Sequence, residues 1–196
     1  MFDISHGTVT QEEADRLAGA AGQIDTEPHA AGSTEPWVSR LVADFIVARG
    51  ARTVLETGAY MGATSVWIAD ALRRLGGGRF FLCEIDKARR GLAVDRLVNK
   101  NWLEVELLER GDVMEFLRAT PETFDVAWVD DNHTKKHVTA ELTLLYPKMN
   151  PGGLILLHDV YGVTDLRTVV AQFGGYSIDL WRLGPAGGIG VIQVPF

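Results

Sequence analysis

The run Val54-Leu55-Glu56-Thr57-Gly58-Ala59-Tyr60-Met61-Gly62-Ala63-Thr64-Ser65 passes from an apolar strand that ends in an acid, through a turn punctuated by two glycines, into a helix. A strand, a glycine turn and a helix in that order open a βαβ unit. In open sheets built of such units, ligands bind beyond the carboxyl ends of the strands. Gly58 and Gly62 allow positive backbone angles and let a ligand approach the backbone without a Cβ in the way. The spacing is not the dinucleotide pattern G-x-G-x-x-G, because Tyr60 stands where its second glycine would be, and this weakens a pyrophosphate-binding reading. An ordinary tight turn uses glycine pairs too, so the acids around the turn decide what it is for.

Outward from this turn, apolar runs alternate with amphipathic stretches. Strands are expected at Thr53–Glu56, Arg79–Glu84, Glu104–Leu108, Phe124–Asp130 and Leu154–His158, with helices over 61–75, 87–100, 113–118, 134–146 and 163–173. Pro151-Gly152-Gly153 is read as a turn just before the fifth strand. The alternation implies a mostly parallel sheet with helices on both faces. Two β-rich runs, Tyr176–Leu183 and Gly188–Val194, follow with only a short glycine-proline connection, so they pair as an antiparallel hairpin. The fold class is therefore α/β, a Rossmann-like three-layer sandwich with a seven-stranded, mostly parallel sheet ending in that hairpin. Upstream, Thr34-Glu35-Pro36 opens a helix, with a cap residue ahead of a proline in the first turn; Trp37, Leu41, Val42, Phe45 and Ile46 share one face. Residues 1–33 are expected to form a helix over 10–20 and a loop, a candidate cover for the site; residues 34–196 form the main domain.

The chain has 196 residues, with 19 Lys and Arg against 26 Asp and Glu, for a formal charge of −7. An acidic chain without a long basic run argues against nucleic acid as a partner. At 46% hydrophobic residues it can bury a core, and its length suits one domain. The single cysteine, Cys83, lies in an apolar run and reads as core filler; the composition is compatible with the reducing cytoplasm, our expected location. There is no leader-like start and no run of about 18 apolar residues, so no membrane is expected. A homo-oligomer is compatible with the sequence.

Glu84 closes the strand after the glycine turn, in Phe81-Leu82-Cys83-Glu84-Ile85-Asp86, where a carboxylate can accept both hydroxyls of a ribose. Asp86 fits the N-cap of the next helix, and Asp112 that of the helix at 113–118. With these residues in view, VLETGAYMGATSVWIADAL (residues 54–72) resembles the first motif of class I S-adenosylmethionine-dependent methyltransferases. It is particularly similar to catechol O-methyltransferase and related small-molecule O-methyltransferases, whose glycine turn also reads G-A-Y-x-G. The resemblance runs from about Trp37 through the C-terminal hairpin. It implies that Glu56, Gly58, Tyr60, Gly62 and Ser65 surround the methionine part of the cofactor. It likewise implies that Glu84 binds the ribose, that Gly111-Asp112-Val113 meets the adenine, and that Asp130 closes the cofactor site.

Two more strands end in acids, at Asp130-Asp131-Asn132-His133 and at His158-Asp159-Val160. Carboxylates suit Mg²⁺, and imidazoles shift the preference towards Mn²⁺ and later metals. In the resembled enzymes two such aspartates and an adjacent Asn hold a divalent cation. Asp130 and Asp159 match the aspartates, but Val160 stands at the Asn position; His158 is the expected third ligand, with His133 as an alternative. Where the catechol enzymes carry a lysine base, this chain has His133, whose imidazole can take a hydroxyl proton. The expected catalytic residues are thus His133, His158 and Asp130, with Asp130, Asp159 and His158 on a Mg²⁺ or Mn²⁺ ion, methylating a hydroxyl of a small molecule. Competing readings are a metal-independent methyltransferase using His133 or His158 as base, a nicotinamide-binding oxidoreductase, and a non-catalytic nucleoside-binding protein. Five further residues are read as silent or structural: His137 as a surface helix residue, Asp131 as the cap of the helix near Thr134, Asp125 as a turn residue, and His6 and His29 as without a role in the site.

Overall fold

In the computed structural model, which describes residues 34–162, 164–179 and 187–196, seven strands form one sheet in the order β3-β2-β1-β4-β5-β7-β6. They are β1 (Thr53–Thr57), β2 (Gly78–Cys83), β3 (Val105–Arg110), β4 (Phe124–Val129), β5 (Met149–Leu157), β6 (Tyr176–Ile178) and β7 (Ile189–Gln193). The helices are α1 (Pro36–Arg49), α2 (Ala63–Arg74), α3 (Lys87–Val98), α4 (Val113–Ala119), α5 (Lys135–Leu145) and α6 (Arg167–Gln172). The expected helix over 10–20, His6, His29 and most of the hairpin turn fall outside the described residues.

The period-2 alternation of the central strands separates two apolar layers. Val54, Phe80, Leu82, Val126, Trp128, Leu154 and Leu156 face α1, α2 and α3. Their neighbours Leu55, Phe81, Ala127, Val129, Ile155 and Leu157 face α4, α5 and α6. Both faces of the parallel sheet are covered, which is why its strands read as nearly continuous apolar runs. β1 to β5 are parallel, while β7 runs antiparallel to β5 and β6 antiparallel to β7.

Register is what builds the site. Thr57 pairs with both Cys83 and Val129, Cys83 with Arg110, and Val129 with Leu157. All five parallel strands therefore end level, and the residues that follow them, Gly58, Glu84, Gly111, Asp130 and His158, emerge along one edge. The order reverses between β1 and β4, the crevice where ligands bind in such sheets.

Three expectations need correction. Pro151-Gly152-Gly153 does not precede β5 but lies within it. While β4 advances from Phe124 to Val126, its partner advances from Met149 to Leu154, so the extra residues are absorbed as a bulge. Asp125 is more than a turn residue: its Oδ2 accepts the Arg52 and Thr53 N–H groups at 2.7 and 2.9 Å and its Oδ1 the Asn150 amide at 2.7 Å, which ties together the starts of β1 and β5. On α1 the buried side is Val38, Ser39, Val42, Ala43 and Ile46, with Trp37, Leu41 and Phe45 packed at its margin. That helix carries no side-chain cap, because the Thr34 hydroxyl goes elsewhere.

Candidate active site

The glycine turn is held by its own backbone. Gly58 and Ala59 N–H groups donate to the Cys83 carbonyl at 2.9 and 3.1 Å. A Cβ on Gly58 (φ +76°) would lie 2.3 Å from the Asp130 carbonyl oxygen, and one on Gly62 (φ +82°) 2.8 Å from Ala93 Cα. The missing side chains thus admit the end of β4 and the helix α3. Tyr60, also at positive φ (+50°), turns its N–H onto Glu84 Oε2 at 2.8 Å, and Asp86 N–H donates to Oε1 at 2.9 Å. Two backbone donors therefore fix the Glu84 carboxylate, leaving lone pairs on both oxygens. The Arg89 guanidinium lies over the Tyr60 ring, 4.7 Å from its centroid.

Glu56, Gly58, Tyr60, Glu84, Asp112, Val113 and Asp130 line one cavity of about 620 Å³, together with His133, His158 and Asp159. Gly62 and Ser65 are not among the lining residues: Gly62 packs on α3, and the buried Ser65 hydroxyl donates to Glu56 Oε2 at 2.5 Å. Asp112 caps α4, its Oδ1 accepting the Met114 and Glu115 N–H groups at 2.7 and 3.2 Å, and still lines the cavity. Ile85 is 73% exposed and forms an apolar lip. Its neighbour Glu84 marked the place, but an isolated exposed isoleucine carries no sequence signal.

The other end of the cavity is organised by Asp130. Its Oδ2 accepts the Thr34 hydroxyl at 2.6 Å, and its Oδ1 lies 3.0 Å from His158 Nδ1 and 3.4 Å from His133 Nε2. On its far side, His158 Nε2 is 3.3 Å from Glu35 Oε2. Thr34 and Glu35, read as a helix start, thus belong to the site; only the long-range packing of α1 brings them there. Asp130, His133 and His158 each offer a ligand atom within 4.8 Å of the others. Of the set expected to hold a metal, Asp130 and His158 belong to this cluster and Asp159 borders it. Asp159 Oδ1 accepts Gly187 N–H at 3.1 Å, and Oδ2 lies 3.7 Å from His158 Nδ1. Val160 is buried in the core.

His137 is not a plain surface residue: its Nε2 is 2.7 Å from Asp131 Oδ2 and 3.6 Å from Glu141 Oε2. Asp131 is thereby taken from the capping role, which Thr134 fills through its hydroxyl. The signal available was the i, i+4 spacing of His137 and Glu141, which places them on one helix face.

Burial acts on the innermost of these groups. It pushes the Glu56 carboxyl up to about 8 against the Ser65 hydrogen bond, and Glu141 up to about 7. Burial would also raise Asp130, but His133 and His158 outweigh it and hold it down at about 2. Burial lowers His158, and Asp130 more than reverses that, to about 9; Asp130 likewise raises His133. The linkage signs then agree. Glu56 and Glu141 stay protonated in the fold where the unfolded chain, with an ordinary 4.5, has ionised, so their contribution declines as pH rises through 7 and 8. The His158 contribution is complete below 6.5 and is lost as pH rises through 9. The Asp130 contribution is complete above 3.8 and is lost only as pH falls through 2. Stability is expected to fall by roughly a few kcal/mol between about pH 5 and 9, with a shallower slope in Glu56→Gln. Melting temperatures measured across that range at constant ionic strength check this, and a flat profile would sink it.

A family model described as a methyltransferase domain matches residues 55–160, from β1 through the end of β5. Among solved structures, the chain is similar to the O-methyltransferase TomG from Streptomyces achromogenes, solved in complex with SAM. They share 22% identity with a TM-score of 0.71, over 96% of this chain and 92% of that one. The Bacillus cereus O-methyltransferase solved with SAH has a TM-score of 0.69 at 17% identity, covering 94% and 91% of the two chains. No curated protein matches the chain. The topology agrees with the Rossmann-like methyltransferase fold, and the family match covers the glycine turn and the strand-end acids together: the chain belongs to the methyltransferase-domain family.

Proposed function

We propose that the chain moves a methyl group from S-adenosylmethionine to a hydroxyl of a small molecule in the cytoplasm. The observation that supports this best is the cavity wall, where the acids Glu35, Glu84, Asp112, Asp130, Asp131 and Asp159 outnumber Arg89, His133, His137 and His158. Such a wall favours a cationic ligand. When bound, S-adenosylmethionine supplies a methyl group activated on a positively charged sulfur. Glu84 has the lone pairs to accept a ribose diol, Asp112, Val113 and Ile85 offer a polar contact and apolar walls for a purine, and Glu56 and the glycine turn face the remaining amino-acid end.

The chain's own contribution to the chemistry is orientation and proton uptake. His133 Nε2, buried against Asp130, carries the proton that points at the carboxylate, which leaves Nδ1 as the basic atom. With its side chain one-third exposed (33%), His133 can receive a hydroxyl proton from an acceptor in the cavity. His158, buried between Asp130 and Glu35, holds Asp130 in place. A second reading, a divalent cation on Asp130, His133 and His158, draws on their convergence. Two imidazoles beside one carboxylate suit Mn²⁺ better than Mg²⁺. Among the described residues no helix is long and apolar enough to cross a membrane.

A melting panel with S-adenosylmethionine, S-adenosylhomocysteine and NAD, each with Mn²⁺, Mg²⁺ or chelator, tests both readings. A ligand at a hundred times its Kd adds about 2.7 kcal/mol of stability. The expected result is a rise with the two adenosyl compounds and none with NAD, and methyl transfer that survives chelation. Stabilisation by NAD alone would point to an oxidoreductase, loss of turnover on chelation to the metal-assisted route, and binding without turnover on any hydroxyl acceptor to a nucleoside-binding protein.

A further inference from the structure

We infer that Asp131, His137 and Glu141 form a separate cation site, suited to a first-row divalent ion such as Mn²⁺ or Zn²⁺, under the loop that carries His133. The inference does not depend on the methyl-transfer reading. One ligand atom from each residue lies within 4.8 Å of the other two. Glu141 is fully buried on α5, on the side that also carries the buried Val138, Leu142 and Leu145. Neither of its carboxylate oxygens has a hydrogen-bond partner, and the buried Asp131 Oδ1 and Thr57 Oγ1 are unpartnered as well.

A buried carboxylate left without a partner is disfavoured by several kcal/mol. Once Glu141 gives up the proton that burial keeps on it, two carboxylates against one imidazolium leave a net negative charge inside the protein. A divalent ion bound by both carboxylates and a neutral imidazole removes that excess and satisfies the orphaned oxygens, releasing the histidine proton. A carboxylate pair with one imidazole favours Mn²⁺, Fe²⁺ or Zn²⁺ over Mg²⁺. The ligands come from two elements, Asp131 from the loop after β4 and His137 with Glu141 from α5. An ion there would tie the 130–134 loop to the helix.

The test is metal binding by the full chain, stripped with chelator and then titrated with Mn²⁺, read by electron paramagnetic resonance of the free ion, and with Zn²⁺, read by elemental analysis after dialysis. The double variant Asp130→Asn/His158→Ala is expected to keep one bound ion, and Glu141→Gln and His137→Ala, checked for folding by circular dichroism, to weaken binding roughly tenfold or more. X-ray absorption of the bound Zn²⁺ in the double variant should show one imidazole. No ion bound by the double variant or by the unaltered chain, or unchanged affinity in Glu141→Gln and His137→Ala, would overturn the inference and leave the trio as a proton-sharing cluster.

Discussion

Asp130→Asn is expected to slow methyl transfer by roughly 10²–10⁴-fold while leaving the fold and the affinity for S-adenosylhomocysteine nearly unchanged. The amide preserves the volume and still accepts the Thr34 hydroxyl that Asp130 Oδ2 now receives at 2.6 Å. What it removes is the negative charge that raises both His133 and His158. Two consequences follow with definite signs. The orientation of His133 weakens, because its Nε2 faces Asp130 Oδ1 at 3.4 Å and an amide attracts that N–H far less than a carboxylate does. The rising limb of the pH–rate profile, which reports deprotonation of the base, also moves to lower pH. A variant that was merely distorted would lose rate without moving that limb. Full activity with an unshifted limb would remove His133 and Asp130 from the mechanism.

The sheet was legible because its signals are local. Apolar runs, N-capping aspartates at 86 and 112, and the glycine turn each depend on a few neighbouring residues, and the structure keeps β1 to β4 and α2 to α5 within two residues of the expectation, while β5 begins five residues earlier and α6 four residues later. The strand-end acids were legible for the same reason, since parallel register alone brings Glu84 and Asp130 to one edge. What escaped the sequence depends on distant partners. Thr34 reads as a cap, yet its hydroxyl crosses to Asp130; His137 reads as solvated, yet its ring turns under the β4 loop to Asp131. Asp159 matches a ligand position in the resembled enzymes and borders the Asp130 cluster, its Oδ1 accepting the Gly187 N–H and its Oδ2 3.7 Å from His158 Nδ1. No local pattern encodes which of several acids on one edge will face inward.

Gly58→Ala is expected to be strongly damaging, lowering stability by about 4 kcal/mol or more. Two penalties coincide there. A residue with a Cβ at φ +76° is strained by roughly 1 kcal/mol, and the new methyl would stand 2.3 Å from the Asp130 carbonyl oxygen and 2.6 Å from Asp131 Cα. Both obstacles are backbone atoms at the end of a buried parallel strand, so relief requires moving β4 away from β1 rather than turning a side chain. Gly50 provides the control: its φ is +59°, and an added Cβ meets nothing within 4 Å, so Gly50→Ala carries the conformational strain alone, about 1 kcal/mol. The difference between the two variants in urea denaturation isolates the close approach of the glycine turn to the Asp130 backbone. Equal losses would mean that the approach is not present in solution. If the difference is found, Gly58→Ala should also weaken adenosyl-ligand binding and methyl transfer together, because displacing the end of β4 moves Asp130 and the loop carrying His133 while the turn that holds Glu84 through Tyr60 shifts against them.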